Sequence, residues 1–522
     1  MRHLAWLGLL CAGLLWACDE GGSGTTPPQP DRIEPDLGPV MDEGIEPDAE
    51  LDAGPDATLD AFVIVDAEPP PLGEPDQVWR VYAGFNDIPV EMSGYNPDEN
   101  DDRQPFRWTL PPTDWTFSVT VLHGPEWVPT EPPYLLLRGI EPFRERQVVD
   151  LQSLSPAGGT WTAINRGHVW RARLGQLSLG DTPTGTWSLQ AVVGEEVGRP
   201  LLFSVAERTP ERDPFPEVDP WVIRFDRDLS SLSVAYAGAF EVTVDRNPDG
   251  VPDVEEALEA VGMLGGDASW RQAVMGLFRD RIRSQLREFF LLDPTTGEPG
   301  PQSVQVRIAF GGDPGVPPPE EWAMLGWSQM AIGGPTPPDD GGLFGRAALD
   351  WNNQEANDNT GPERGVFSTS FVRVALTNRV IASLIFDYLP ASGGQPFGSL
   401  PTDTQLLDLA RPIDQLPETI RLRANRFRFL LDNFSLAVSA VTAHEMGHSL
   451  GLVKEGLPPA GMLAGIQGPW AVQVVPGSHL DTRGFNLMQP GSAFSFSDVV
   501  TSRPRFGEVE LAYLRRQLLL IP

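Results

Sequence analysis

Six histidines occur in 522 residues, and two of them flank a glutamate in Thr442-Ala443-His444-Glu445-Met446-Gly447-His448. On a helix, residues four apart share a face, so His444 and His448 can present two imidazole nitrogens to one cation. Such a pair with a glutamate beside the first histidine is the H-E-x-x-H pattern of zinc hydrolases. There the carboxylate, here Glu445, takes a proton from a metal-activated water as it attacks a carbonyl and then delivers it to the leaving amine. Zinc lowers the pKa of that water to about 7 and polarises the scissile carbonyl. The competing reading is that the two histidines merely line a helix face; with so few histidines in the chain, chance rarely gives this spacing.

The residues downstream extend the pattern. Ser449-Leu450-Gly451 completes H-E-x-x-H-x-x-G, and GSHLDTRGFNLMQPG follows some way on. Residues 434 to 522 thereby resemble the metzincin superfamily of zinc peptidases, in which a glycine ends the active-site helix, a third ligand follows, and a methionine turn lies beneath the metal. The resemblance implies that Gly451 is the helix-ending glycine, that Met488 is the turn methionine and that FGEVELAYLRRQLL is the closing helix. One departure is chemical: the position three residues after the glycine is Lys454, whose ammonium repels a metal. An insertion over roughly residues 452 to 476 would separate the helix from its ligand. His479, nine residues before Met488, then becomes the third zinc ligand, with Asp481 the alternative and Glu455 a distant third. Without any of them, two histidines would hold zinc weakly and the domain would be a degenerate peptidase. Some relatives carry a tyrosine shortly after the turn methionine; Gln489 and Pro490 stand there instead, so oxyanion stabilisation would fall to zinc and backbone donors.

A second oxygen-rich pattern lies at DRNPDGVPDVEE. Asp245, Asn247, Asp249, Asp253 and Glu256, with the carbonyl of Val251 and Gly250 at the sixth position, match the ligand spacing of a twelve-residue calcium loop. The alternative is a polar turn in which Asp253 caps the following helix and Glu256 closes a capping box.

These residues need scaffolds, and 522 residues exceed what one core usually organises. Arg2 followed by the apolar run Leu4 to Trp16 reads as an export signal over residues 1–17. Its end, Leu15-Trp16-Ala17-Cys18, resembles the lipobox of bacterial lipoproteins, which implies lipidation of Cys18. Residues 18–76 carry 17 acidic side chains against one basic, Arg32, and read as an extended, disordered tether. Cys11 and Cys18 are the only cysteines, so neither a disulfide nor a thiolate metal site is available beyond the leader. A formal charge of −34 sets nucleic acid aside as a partner.

Residues 77–209 alternate Val, Thr, Trp and Phe in short runs broken by Gly and Pro, which predicts an all-β sandwich. His123 and His168 sit alone in that reading, as structural histidines. Residues 210–522 mix strands and helices, which predicts an α+β domain. Helices are expected over 254–261, 269–291, 421–452 (as one helix or two) and 506–519; strands over 237–244, VQVRIAF and GVFSTSFVRVAL; and a surface loop, with a place near the substrate cleft left open, over Asp350 to Asn359.

The fold class is therefore multidomain, an all-β sandwich followed by an α+β, metzincin-like zinc peptidase domain. The functional expectation is an endopeptidase acting on peptide or protein substrates, lipid-anchored to a membrane at the cell envelope or surface, with Zn2+ and a structural Ca2+. Two other readings stay open: a catalytically silent adhesion or binding lipoprotein, and a different H-E-x-x-H hydrolase using an acidic ligand such as Glu508.

Overall fold

A computed structural model of the chain describes residues 76–85, most of 108–205 and of 206–452, and then 486–488 and 503–516. Cys18, the export signal, the acidic segment, Asn247, Lys454, Glu455, His479 and Asp481 lie outside the described residues.

Among the described residues, ten strands precede residue 206: β1 (Val78–Phe85), β2 (Trp108–Leu110), β3 (Trp115–His123), β4 (Tyr134–Glu141), β5 (Arg146–Asp150), β6 (Thr160–Ile164), β7 (Gly167–Leu174), β8 (Gly185–Val193), β9 (Glu196–Val197) and β10 (Leu201–Val205). One sheet runs β1-β3-β7-β6; the other runs β2-β10-β8-β4-β5, with β9 beside β8. Neighbours are antiparallel except β2 and β10. Period-two alternation buries Trp187, Leu189, Ala191 and Val193 along β8, and Val119 and Val121 along β3. These residues join Val81, Leu135 and Trp170 in the core, so the inward side chains of both sheets share it.

The rest of the chain adds β11 (Asp219–Arg224), β12 (Ser233–Ala237), β13 (Phe240–Asp245), α1 (Asp253–Ala260), α2 (Ala268–Phe289), β14 (Val306–Phe310), β15 (Ser328–Ala331), β16 (Gly345–Arg346), β17 (Asp358–Asn359), β18 (Gly365–Val366), α3 (Ser368–Thr377), α4 (Arg379–Ile385), α5 (Glu418–Ser449) and α6 (Glu508–Leu514). Strands β14-β11-β15-β17 form a parallel sheet. Trp221, Val222 and Ile223 are consecutive and fully buried in β11, as expected of a strand covered on both faces.

Two helices brace the site. The carboxylate of Asp267 caps α2 by accepting from the Trp270 amide, and Trp270, Val274, Phe278, Ile282 and Leu286, spaced four apart, make an apolar stripe. The stripe packs on α5 through Trp270 against Phe427 and Phe278 against Phe434. In its first half α5 is amphipathic. From Phe434 to Ser449 every residue is buried, so the turn bearing the histidines is enclosed on all sides.

One expectation needs correction. The segment GVFSTSFVRVAL is only briefly a strand, β18, before it becomes α3. Its β-branched residues suggest a strand, but nearly all-round burial removes the polar face that would reveal a helical period. The hydroxyls of Thr369 and Ser370 are absorbed by the carbonyls of Gly334 and Leu343. The strand expected over 237–244 is β13, which pairs antiparallel with β12 just before it. The one or two helices expected over 421–452 are a single helix, α5, from Glu418 to Ser449.

Candidate metal centre

The last two turns of α5 place His444 and His448 so that their Nε2 atoms are 3.0 Å apart, with the rings perpendicular. Both are buried, with 5% and 3% of their surface exposed, and Glu445 between them is 1% exposed. His444 Nδ1 donates to the Leu487 carbonyl at 2.5 Å. That bond makes Nδ1 the protonated nitrogen and Nε2 the acceptor facing His448, the orientation metal-bound histidines take from a carbonyl partner. Burial holds the His444 pKa down to about 4, against a smaller upward pull from the Leu487 carbonyl, so the imidazole is neutral near pH 7.

Leu487 is itself held. Its amide donates to the Arg505 carbonyl, and the Met488 amide donates to the Asn486 side chain at 2.9 Å. Met488 packs against the backbone of Gly447, which stands between the two histidines. Behind His448 the helix stops in a Schellman turn. Leu452 N donates to Gly447 O and Gly451 N to His448 O, and Gly451 adopts φ 93°, which a residue without Cβ takes at no cost.

Ser449 ties the helix end to the segment read as a surface loop. Its hydroxyl donates to the Ala348 carbonyl and accepts from Asn359 Nδ2, and its carbonyl accepts from Asn357 Nδ2. Within the segment expected to be a surface loop, Asn353, Asn357 and Asn359 are buried while Glu355, Ala356 and Asp358 are exposed. Upstream, Gly345 of β16 passes directly over the Glu445 side chain. Neither Gly345 nor the Ser449 clamp is visible in the local sequence.

The donor set fits zinc: two buried imidazoles with Nε2 atoms 3.0 Å apart, one of them oriented by a carbonyl. His479 and Asp481, the candidate third ligands, lie outside the described residues. Among the described residues, no three His, Cys, Asp or Glu side chains converge on one point.

In the 245–256 loop, Asp249 accepts from the Val251 amide and Asp253 is turned inward, accepting from Leu229 N with 1% exposure. Gly250 N donates to Asp228. Pro252 occupies the N-cap of α1, and Asp253 is its first helical residue. On the N-terminal sheets, His123 and His168 are not isolated as expected. His123 Nδ1 donates to the Gly124 carbonyl, leaving Nε2 to accept from His168 Nδ1 at 2.7 Å, with Trp127 and Trp161 beside the pair.

In comparisons with known proteins, no family model and no curated sequence matches this chain.

Proposed function

We propose that the chain is a zinc-dependent endopeptidase of metzincin type, exported and held outside the cytoplasm by a lipid on Cys18. In this reading residues 77–209 are a β-sandwich that positions the enzyme, and residues 210–522 are the peptidase domain. The observation that carries it is the pairing of two distant motifs: the Leu487 carbonyl orients His444 while Met488 packs under Gly447. A bare H-E-x-x-H helix needs no such turn beneath it.

His444 and His448 would hold the metal, with His479 or Asp481 as third ligand. Bound zinc supplies a Lewis acid for the scissile carbonyl and lowers the pKa of water to about 7. Glu445 takes the proton from the attacking water and returns it to the leaving amine. Enclosure of the last turns of α5 keeps bulk water from competing for that carboxylate. A structural calcium ion in the 245–256 loop belongs to the same proposal. Calcium should then raise the melting temperature of the wild type and not that of Asp249→Ala.

The test is metal content of the mature chain beside casein cleavage. One zinc per chain, retained while cleavage is lost in Glu445→Gln and lost together with cleavage in His448→Ala, supports the enzyme. Loss of zinc in His479→Ala or in Asp481→Ala identifies the third ligand. Absence of stoichiometric zinc, even after zinc is supplied, overturns this reading and leaves a binding lipoprotein.

A further inference from the structure

We infer that Gly345 is a positioning residue for Glu445, present because the carboxylate needs the space a side chain would take. The inference rests on the peptidase reading for its catalytic consequence and on geometry alone for the contact. A Cβ built on Gly345 would lie 2.5 Å from Glu445 Oε1, 2.7 Å from its Cγ and 2.8 Å from Val441 Cγ1, one turn earlier on α5. Gly345 is absent from the positive-φ residues, so backbone conformation does not call for glycine there. Close approach does.

Strand β16 has little freedom to retreat. It pairs with β18 through Gly345 with Val366 and Arg346 with Gly365. On one side, Phe367 N donates to Phe344 O and the Ser370 hydroxyl donates to Leu343 O. On the other, Ala348 is held at both ends, its amide by Asn359 Oδ1 and its carbonyl by the Ser449 hydroxyl. With the strand pinned, a methyl group at 345 must be accommodated by moving the side chains of Glu445 and Val441. The three atoms nearest that methyl belong to Glu445 and Val441, so the first adjustment falls on them and not on the metal donors His444 and His448.

The test compares Gly345→Ala in the parent with Gly345→Ala in a Glu445→Ala background. Removing the carboxylate and Cγ relieves two of the three close contacts, so the melting temperature should fall by several degrees in the parent and clearly less in the second background. The two changes then couple, as groups in direct contact do. In the parent, Gly345→Ala should retain zinc, keep KM within a few fold and lower kcat by about a hundredfold, the scale expected for a misplaced catalytic group. Equal loss of melting temperature in both backgrounds, or unchanged kcat in a cleaving parent, overturns the inference. If Gly345→Ala alone does not fold, folding of the double variant supports the inference and failure of both overturns it. Because the thermal comparison needs no catalysis, a parent without zinc or activity defeats the peptidase reading and leaves the Gly345 contact separately decided.

Discussion

Met488 Sδ rests against the backbone of Gly447, so close that a methyl group on Gly447 would lie 2.5 Å from the sulfur. In most helix interiors, replacing glycine by alanine gains about 1 kcal/mol from backbone entropy. Here the added methyl also meets Met488 Cε at 3.1 Å and Leu452 Cδ1 at 3.3 Å, all on buried residues. Overpacking of this kind costs about 1–3 kcal/mol. Gly447→Ala should therefore destabilise the chain in urea unfolding, against the ordinary sign of the substitution. Its effect should shrink in a Met488→Ala background.

Ser449 should matter through distant residues. Ser449→Ala leaves the Asn359 amide and the Ala348 carbonyl without their hydroxyl partner in a buried setting, where an unsatisfied group costs about 1–3 kcal/mol. The expected outcome is lower stability together with faster hydrogen exchange at the Ala348 amide, which donates to Asn359 Oδ1. Unchanged exchange at Ala348 would mean that the loop is held without the clamp.

The parts of this site legible in the sequence are those whose spacing is local. His444, Glu445, His448 and Gly451 fall within eight residues at the end of one helix and the turn that stops it, where the rule of four and the helix-ending glycine act directly. Met488 is legible only through a resemblance, because nothing in Asn486-Leu487-Met488 itself announces a turn beneath a helix. Gly345 is not legible: it is separated from Glu445 by a hundred residues, and its backbone is ordinary. Asn357 and Asn359 mislead in the other direction. Amide-rich segments usually face water, whereas these amides are spent on Ser449. His123 and His168 meet because β3 and β7 are in register at Val121 and His168, a cross-strand relation that no single stretch encodes.

That histidine pair should make the N-terminal sheets acid-sensitive. Burial first, and the neighbouring His123 second, hold the His168 pKa below 6.5. The folded state thus prefers neutral imidazole more than the unfolded chain does. Its contribution is full above pH 6.5 and is lost as pH falls through the lower folded value. His168→Asn should flatten the dependence of melting temperature on pH below 6.5, and the difference from wild type isolates this pair from the many titrating carboxylates. Parallel curves for the two proteins would remove the pair from any part in acid stability.

Asp219 should act with the opposite sign. Burial at the start of β11 raises its pKa from 3.8 to about 7; Asp350 adds to the rise, and the hydrogen bond from the Trp221 indole opposes it. Because the folded pKa is the higher one, stability from this group is full below pH 3.8 and is lost as pH rises through about 7. A tenfold difference in proton affinity between the folded and unfolded chain corresponds to about 1.4 kcal/mol, and partial exposure of the residue reduces what is realised to at most a few kcal/mol above neutrality. Asp219→Asn keeps an oxygen to accept from Trp221 and removes the charge. The variant should match wild type at pH 4 and exceed it increasingly from pH 5 to 8 in denaturant unfolding. A constant difference across that range would show that Asp219 ionises as freely in the folded chain as in the unfolded one.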